Sequence, residues 1–295
     1  MLKKIINKSN FIKKLPRRLA KNILSTIINI DELFWKFRII VFILIFGRKN
    51  RIGKALSDLK KTGIAIIPKF YSEDKVLKIK EECIKQLDRL PIEKLGNSEN
   101  IQNLLLENNL RVERAKGQIK LKGLHYINLF FKKIGRDFST NLITLAYHFY
   151  LSKPFLIYNL VHDGSFNHKA VPGISGSELI SGKLHVDLYV HELRCGIVLD
   201  DIKKENGPTL CYKNSMYLDQ IKQNHLNLLL EQFNFEPESG GSHFVNEEKI
   251  KFLEEKADKI YAVGNKGDLL LIDLKTVHSQ IPLKKGQRHI LWFYY

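Results

Sequence analysis

Cysteine is scarce in this sequence. The three cysteines, Cys83, Cys195 and Cys211, show neither the pairing of a disulfide scaffold nor the spacing of a zinc finger. A low, odd cysteine count in 295 residues fits a reducing compartment, so we expect a cytoplasmic protein. Cys195 and Cys211 lie in apolar, strand-like segments, where cysteine is expected to act as a small core residue.

Long apolar runs are also missing. The run at residues 39–46 (IIVFILIF) covers eight residues. It would form about 12 Å of α-helix, whereas the hydrocarbon core of a bilayer is about 30 Å thick. The residues before this run include Lys36 and Arg38. We therefore do not expect a helix that spans the membrane.

Acidic residues are few at the N-terminus. Residues 1–50 hold twelve Lys and Arg against Asp31 and Glu32, which is +10 of the +17 carried by the whole chain. The positive charge therefore belongs mainly to a leader (residues 1–50) that precedes a folded domain (residues 54–295). No nucleic-acid-binding motif accompanies this charge, so we expect no nucleic-acid partner.

Two interpretations of the leader stay open. Residues 1–46 either lie as a basic, apolar helix on an anionic membrane surface, or pack on the folded domain or a second subunit. The first would make the protein peripheral at the inner face of the membrane. The oligomeric state is left open.

The most informative residues are His185, Asp187 and His278. On an extended chain, side chains two residues apart point to the same side, so His185 and Asp187 can meet one ion. His278 follows a turn and an apolar strand and can supply a third ligand. Two imidazoles and one carboxylate form the facial triad that holds Fe(II) with open coordination positions. Arg288 begins the next aromatic strand, where we expect it beside His278, and its guanidinium suits a carboxylate.

The sequence resembles the phytanoyl-CoA dioxygenase family of Fe(II)/2-oxoglutarate oxygenases. Three stretches carry the resemblance. Residues 62–77 (TGIAIIPKFYSEDKVL) resemble the opening strand and first helix of the family. His185-Val186-Asp187 with residues 198–208 (VLDDIKKENGP), and residues 267–288, resemble the metal-binding strand and the closing motif. Residues 212–216 (YKNSM) depart from the family's usual Pro-Gly-Ser-His, which leaves the substrate class open.

This resemblance implies an α+β protein with a double-stranded β-helix core, flanking helices and the helical leader. It implies Fe(II) held by His185, Asp187 and His278, with 2-oxoglutarate and O2 as cosubstrates. Arg288 would anchor 2-oxoglutarate, with Ser279 or Gln280 as a polar partner. The implied reaction is hydroxylation of an unactivated carbon in a lipid, glycan or small biosynthetic intermediate. The alternative is a cupin-like metal-binding protein without oxygenase activity, either a binding module or an isomerase.

The remaining histidines and segments give further expectations for the site and for the secondary structure. We expect His225 on a solvated helix face, and His191, His162 or His168 could lie near the site. Residues 92–150 are predicted to be mostly helical and to cover the site, and residues 163–182 to form a lid. Strands are predicted at residues 64–67, 154–160, 188–200 and 269–274, and helices at residues 72–90 and 217–233.

Overall fold

A computed structural model describes most of the chain. The described residues are 10–47, 49–89, 102–105, 110–115, 118–131, 133–134, 155–161, 182–236 and 243–294. The predicted lid, apart from residue 182, lies outside them, as do His162 and His168.

The helices begin and end where local sequence predicts. In the second helix, the Asn50 side chain accepts a hydrogen bond from the Ile52 N–H, and the helix ends at Gly63 with φ 81°. The α-helices are α1 (Arg17–Phe46), α2 (Arg51–Thr62), α3 (Glu73–Asp88), α4 (Leu124–Ile127), α5 (Asp219–Gln232) and α6 (Glu247–Lys256). Short 3-10 helices span Ile12–Lys14, Lys204–Asn206 and Ser215–Tyr217.

The described strands form two antiparallel sheets. The larger has the order β1-β9-β6-β11-β5-β4-β3-β2, and the smaller β10-β7-β8. The strands are β1 (Ile64–Ile67), β2 (Gln102–Leu105), β3 (Arg111–Ala115), β4 (Gln118–Lys122), β5 (Phe155–Val161), β6 (Leu193–Val198), β7 (Thr209–Tyr212), β8 (Lys259–Tyr261), β9 (Leu269–Asp273), β10 (His278–Gln280) and β11 (Arg288–Tyr294).

The two sheets face each other across an apolar interior. Val198 of β6 and Trp292 of β11 pack in one cluster with Cys211 of β7 in the smaller sheet. Alternate residues of the same strands, such as Cys195 and Phe293, pack in a second cluster on the other side of the larger sheet. Both faces of these strands are buried, which explains their nearly continuous apolar sequences. This architecture is a double-stranded β-helix with flanking helices, as predicted.

The prediction that residues 92–150 are mostly helical is wrong for the described part. Strands β2, β3 and β4 form an antiparallel extension of the larger sheet there. Residues 118–122 (QIKLK) alternate polar and apolar side chains, and Val112 of β3 lies opposite Leu121 of β4. A period of two residues favours a hairpin, and this signal outweighs the helix propensity of Arg, Glu and Lys.

Helix α1 packs on the folded domain along one side. Trp35 and Ile39 are fully buried in the same cluster as strands β6, β9 and β11. Ala20, Leu24 and Ile28 join a second cluster with α5. The packing interpretation of the leader therefore holds for this side of α1. Among the described residues, no helix is long and apolar enough to cross a membrane.

Beneath α1 lies a buried polar cluster. The ring of Trp35 stacks on His191 with centroids 3.9 Å apart. His191 Nδ1 lies 2.6 Å from Asp273 Oδ2, and Nε2 lies 3.4 Å from Lys275 Nζ. A neutral imidazole fits both contacts, donating to the carboxylate and accepting from the ammonium. Burial, together with the charge of Lys275, holds the pKa of His191 well below its usual range. The Asp31 carboxylate accepts the His191 backbone N–H at 3.3 Å and so ties α1 to this cluster.

His225 belongs to the same buried region, so its predicted solvent exposure is wrong. It is fully buried on α5, and its Nε2 donates to the Lys275 carbonyl oxygen at 3.0 Å. The flank of α5 that carries it faces the polar cluster rather than solvent, because α1 and the turn before β10 cover it. Burial, and then the nearby charge of Lys275, hold the pKa of His225 well below its usual range.

This environment predicts a loss of stability in mild acid. In the unfolded chain a histidine titrates near pH 6.5, so below that pH the unfolded state binds a proton that folded His225 excludes. The contribution of neutral His225 to the free energy of unfolding is complete above about pH 6.5. Below that pH the free energy of unfolding falls by up to about 1.4 kcal/mol per pH unit. Urea unfolding of the wild-type protein and of His225→Gln between about pH 7.5 and about pH 5.5 measures this effect. We expect a shallower pH dependence in the variant, and an unchanged slope would contradict the assignment.

Candidate metal centre

The three predicted ligands meet at the edge of the smaller sheet. His185 lies opposite His278 of β10, and each backbone N–H donates to the carbonyl oxygen of the other residue at 3.0 Å. The Asp187 N–H donates to the Leu274 carbonyl oxygen at 3.1 Å, which holds this extended segment against the turn before β10. The sheet thus places the side chain of His278 beside those of His185 and Asp187.

Their polar atoms converge. His185 Nε2 lies 3.3 Å from Asp187 Oδ1, and His278 Nε2 lies 3.4 Å from Asp187 Oδ2. One ligand atom from each residue falls within 4.8 Å of the other two, and the described residues contain no second such group of His, Cys, Asp or Glu. The side chains are 12%, 28% and 1% exposed for His185, Asp187 and His278. The carboxylate is therefore the most open of the three.

Backbone carbonyl groups fix the tautomer of both imidazoles. His185 Nδ1 lies 2.6 Å from the Lys183 carbonyl oxygen, and His278 Nδ1 lies 2.9 Å from that of Thr276. A carbonyl oxygen only accepts, so each Nδ1 carries a proton, and the neutral form of each ring has its lone pair at Nε2. Ligand histidines commonly donate their other N–H to a carbonyl oxygen in this way.

The charges at the site also suit a cation. Burial works to raise the pKa of Asp187, but His278 and His185 outweigh it when their rings are protonated, and they hold that pKa well below its usual range. Burial lowers the pKa of His278, against the raising effect of Asp187. With both rings neutral, an ionised carboxylate thus faces two imidazole lone pairs, and within the described residues the buried His278 Nε2 has no hydrogen-bond partner. Three acceptors that face each other repel unless a cation lies between them, so this donor set fits Fe(II) or a similar ion.

Arg288 lies on the larger sheet and not on a strand beside His278. The expectation that the two residues occupy neighbouring strands is wrong, because β10 belongs to the smaller sheet and β11 to the larger. His278 and Arg288 therefore belong to the two sheets that enclose the interior. Arg194 exerts a like-charge effect on both, lowering the pKa of His278 and that of Arg288.

The Arg288 guanidinium is suited to an anion. The residue is 2% exposed, and its Nε and Nη1 have no hydrogen-bond partner within the described part of the chain. Burial and then Arg194 lower the pKa of Arg288 to about 9. A buried guanidinium with unsatisfied N–H groups is strongly destabilising unless a ligand pairs with it. The carboxylate of 2-oxoglutarate fits this position by charge and by the two-pronged geometry of a guanidinium.

Sequence reasoning missed Arg194. Its guanidinium carbon lies 4.0 Å from the centre of the Trp292 ring. The same ring packs directly on Gly196 of β6. A Cβ at Gly196 would lie 2.5 Å from the Trp292 ring, so the close approach requires glycine. The available signal was a single arginine in the otherwise apolar strand Leu193–Val198.

Ser279 and Gln280 follow His278 on β10 and are both buried. Side chains alternate along a strand, so Gln280 shares the face of His278 and Ser279 takes the other. Ser279 pairs with Leu210, which packs in the cluster outside the smaller sheet, on the side of α5. Of the two, Gln280 is therefore on the side of the interior.

Two other histidines lie away from the ligand atoms. His191 belongs to the buried cluster beneath α1, so a direct role at the ligand atoms is not supported by its contacts. His289 contacts Asp200 through both its backbone N–H and its Nδ1, on the side of β11 opposite Arg288.

Solved structures share this fold at low sequence identity. The epimerase SnoN in complex with Fe3+, alpha ketoglutarate and nogalamycin RO superposes with a TM-score of 0.52, at 12% identity over 82% of each chain. A second structure, of SnoN as a non-heme alpha ketoglutarate dependent epimerase from nogalamycin biosynthesis, gives 0.52 at 11% identity over the same shares. At such identities the similarity establishes the fold alone, and it confirms the predicted fold class. No family model and no curated protein matches the sequence.

Proposed function

We propose that this protein is a non-haem Fe(II)- and 2-oxoglutarate-dependent dioxygenase. One observation carries the proposal: a convergent ligand set and a buried guanidinium with unsatisfied N–H groups belong to the two sheets that enclose one interior. His185, Asp187 and His278 would hold Fe(II), and Arg288 would bind the distal carboxylate of 2-oxoglutarate. The order of these motifs also supports membership of the phytanoyl-CoA dioxygenase family, which stays a prediction.

The metal and its cosubstrates would supply the oxidation. When bound, Fe(II) with 2-oxoglutarate and O2 supplies the chemistry that places one oxygen atom in a C–H bond, while 2-oxoglutarate becomes succinate and CO2. The substrate would be a small or lipid-like molecule, and an unactivated carbon of a lipid, glycan or biosynthetic intermediate its reacting atom.

The protein's own groups bind, orient and exclude water. The Lys183 and Thr276 carbonyl groups hold the two imidazoles with Nε2 directed at the metal position. Arg288 stays protonated at neutral pH even with its lowered pKa of about 9, so it can pair with a carboxylate. Gln280 is the better placed polar partner, and Arg194 adds a second positive charge to the interior.

Two other activities are possible for this fold. Arg288 distinguishes the oxygenase from a cupin-like protein, and the reaction product distinguishes hydroxylation from epimerisation. A cupin-like binding module or isomerase needs the metal ligands but has no use for a buried Arg288. SnoN is an epimerase with this fold, so a stereochemical inversion is a second outcome that the same cofactors permit.

The test is cosubstrate binding and turnover by the purified protein. We expect 2-oxoglutarate to bind only weakly without metal and far more tightly with Fe(II) under anaerobic conditions, as measured by calorimetry. On addition of O2, succinate should form, and a screen of candidate substrates should reveal a product. A product heavier by one oxygen atom indicates hydroxylation, whereas an unchanged mass with inverted stereochemistry indicates epimerisation. A protein that binds metal but shows no metal-dependent 2-oxoglutarate binding would refute the proposal.

A further inference from the structure

Helix α1 has two apolar faces. The first packs on the folded domain and includes Leu24, Trp35 and Ile39, all fully buried. The second, which we call the outer face, is formed by seven large apolar residues that are 40% to 76% exposed. These residues are Ile30, Leu33, Phe34, Phe37, Ile40, Leu44 and Ile45.

The outer face is one continuous stripe. Its residues recur at intervals of three and four, which places them on one side of a helix, opposite the buried side. They extend over residues 30–45, or about 24 Å of helix. Single exposed apolar residues are common on protein surfaces, but a contiguous stripe of this size marks an interaction site.

The charges of α1 are arranged around this stripe. The acidic residues of the helix, Asp31 and Glu32, face the folded domain: Asp31 accepts the His191 N–H, and Glu32 is 7% exposed. Exposed basic residues lie beyond both ends of the stripe. Lys13, Lys14 and Arg18 precede it, the last by twelve residues or about 18 Å of helix, and Lys49 and Arg51 follow it. Arg17 is also exposed, but it donates to the Glu236 carbonyl oxygen of the folded domain at 3.0 Å.

We propose that the outer face of α1 binds an anionic lipid surface, with the apolar stripe at the acyl boundary and the flanking bases at the headgroups. An apolar stripe between clusters of Lys and Arg is the pattern of helices that lie in the membrane interface. The absence of acidic side chains from the outer face leaves nothing on α1 to repel anionic headgroups.

A second copy of the chain fits this face less well. If two outer faces pair antiparallel about a two-fold axis, the bases that follow the stripe of one helix lie toward the bases that precede the stripe of the other. A parallel pair brings identical basic ends together. Either arrangement opposes like charges, whereas anionic headgroups neutralise both ends.

Lipid binding by α1 would also orient the folded domain. Trp35 stacks on buried His191, and Asp31 bonds to the same residue, so the helix is attached firmly through its inner face. The domain would therefore lie on the lipid with α1 between the larger sheet and the surface. This inference does not depend on the proposed oxygenase activity.

The test uses the full-length protein and vesicles of two compositions, equal parts phosphatidylglycerol and phosphatidylcholine, or phosphatidylcholine alone. We expect co-sedimentation with the anionic vesicles, weakened by high salt, and little with the neutral ones. The triple variant Leu33→Gln, Phe37→Gln, Leu44→Gln should bind anionic vesicles at least tenfold more weakly. A triple variant at Lys13, Lys14 and Arg18, each changed to Gln, should lose most of the salt-sensitive binding.

A matched control is provided by exposed apolar residues elsewhere. Leu77 and Leu129 are 51% and 80% exposed, and the variant Leu77→Gln, Leu129→Gln should bind vesicles as the wild type does. Equal binding by the outer-face variant and the wild type would overturn the proposal, as would equal binding to neutral vesicles. A wild-type dimer that ignores vesicles and becomes monomeric in the outer-face variant would also overturn it, and would assign the face to a second copy.

Discussion

Replacing Asp187 with alanine is expected to abolish Fe(II)-dependent turnover. The carboxylate is the only charged ligand of the set and contacts both Nε2 atoms at 3.3 and 3.4 Å. Loss of a group that merely supports a ligand lowers metal affinity by about 10- to 100-fold, so loss of the ligand itself should lower it by more than about 100-fold. Anaerobic titration with Fe(II), or with Co(II) as a spectroscopic substitute, measures this affinity directly.

The same change should leave the metal-free fold intact. The Asp187 side chain is 28% exposed, and the hydrogen bond that holds this segment to Leu274 is made by the backbone N–H and does not involve the carboxylate. Thermal unfolding of both apoproteins checks this point. Asp258→Ala is the matched control, because Asp258 is 80% exposed in a surface pair with Lys213 and should affect neither metal binding nor turnover. Wild-type metal affinity in Asp187→Ala would move the metal site elsewhere.

The convergence of His185, Asp187 and His278 could be predicted because it follows from local rules. The two-residue spacing of His185 and Asp187 orients both side chains without any knowledge of the sheet. The turn before β9 is equally local: Gly267 has φ 94°, and a Cβ there would lie 2.6 Å from the Tyr71 carbonyl oxygen. A glycine at the start of an apolar strand therefore indicates the turn, and His278 follows from the end of that strand.

The sheet assignment of Arg288 could not be predicted in the same way. The turn between His278 and Arg288 resembles that of a hairpin, which would pair the two strands. In the structure the chain crosses from the smaller sheet to the larger, and β11 inserts between β5 and β6. Strand order depends on long-range pairing, which period and composition do not encode.

The buried cluster beneath α1 escaped prediction for a related reason. Lys275 is fully buried, yet in sequence it is one more lysine in a strongly basic chain. Its partners come from distant segments, since Asp31 and Glu32 lie in α1, whereas His191 precedes β6. A charged residue is recognisable as buried only when its partners are known, and these partners meet only in the folded chain.

Replacing Arg288 with lysine is expected to weaken 2-oxoglutarate binding by tenfold or more, a loss of about 1.4 kcal/mol or more. Lysine retains a positive charge but presents no planar fork for a carboxylate, so the substitution is not conservative here. Calorimetry with Fe(II)-loaded protein under anaerobic conditions measures the affinity, and Fe(II) binding itself should stay unchanged. Lys284→Gln and Lys285→Gln are matched controls, since both lysines are exposed and precede the arginine in the same turn.

The lysine variant should also acquire a pH dependence that the wild type lacks near neutrality. Burial lowers the pKa of Arg288 from its usual value of 12.5 to about 9. A lysine starts from about 10.4, so the same burial would bring its pKa near or below neutrality. The ammonium is charged only below that pKa, so 2-oxoglutarate affinity in Arg288→Lys should rise as the pH falls from about 8.5 to about 6.5. Equal cosubstrate affinity in the variant and the wild type across this range would place the carboxylate anchor at another residue, with Arg194 the next to be replaced.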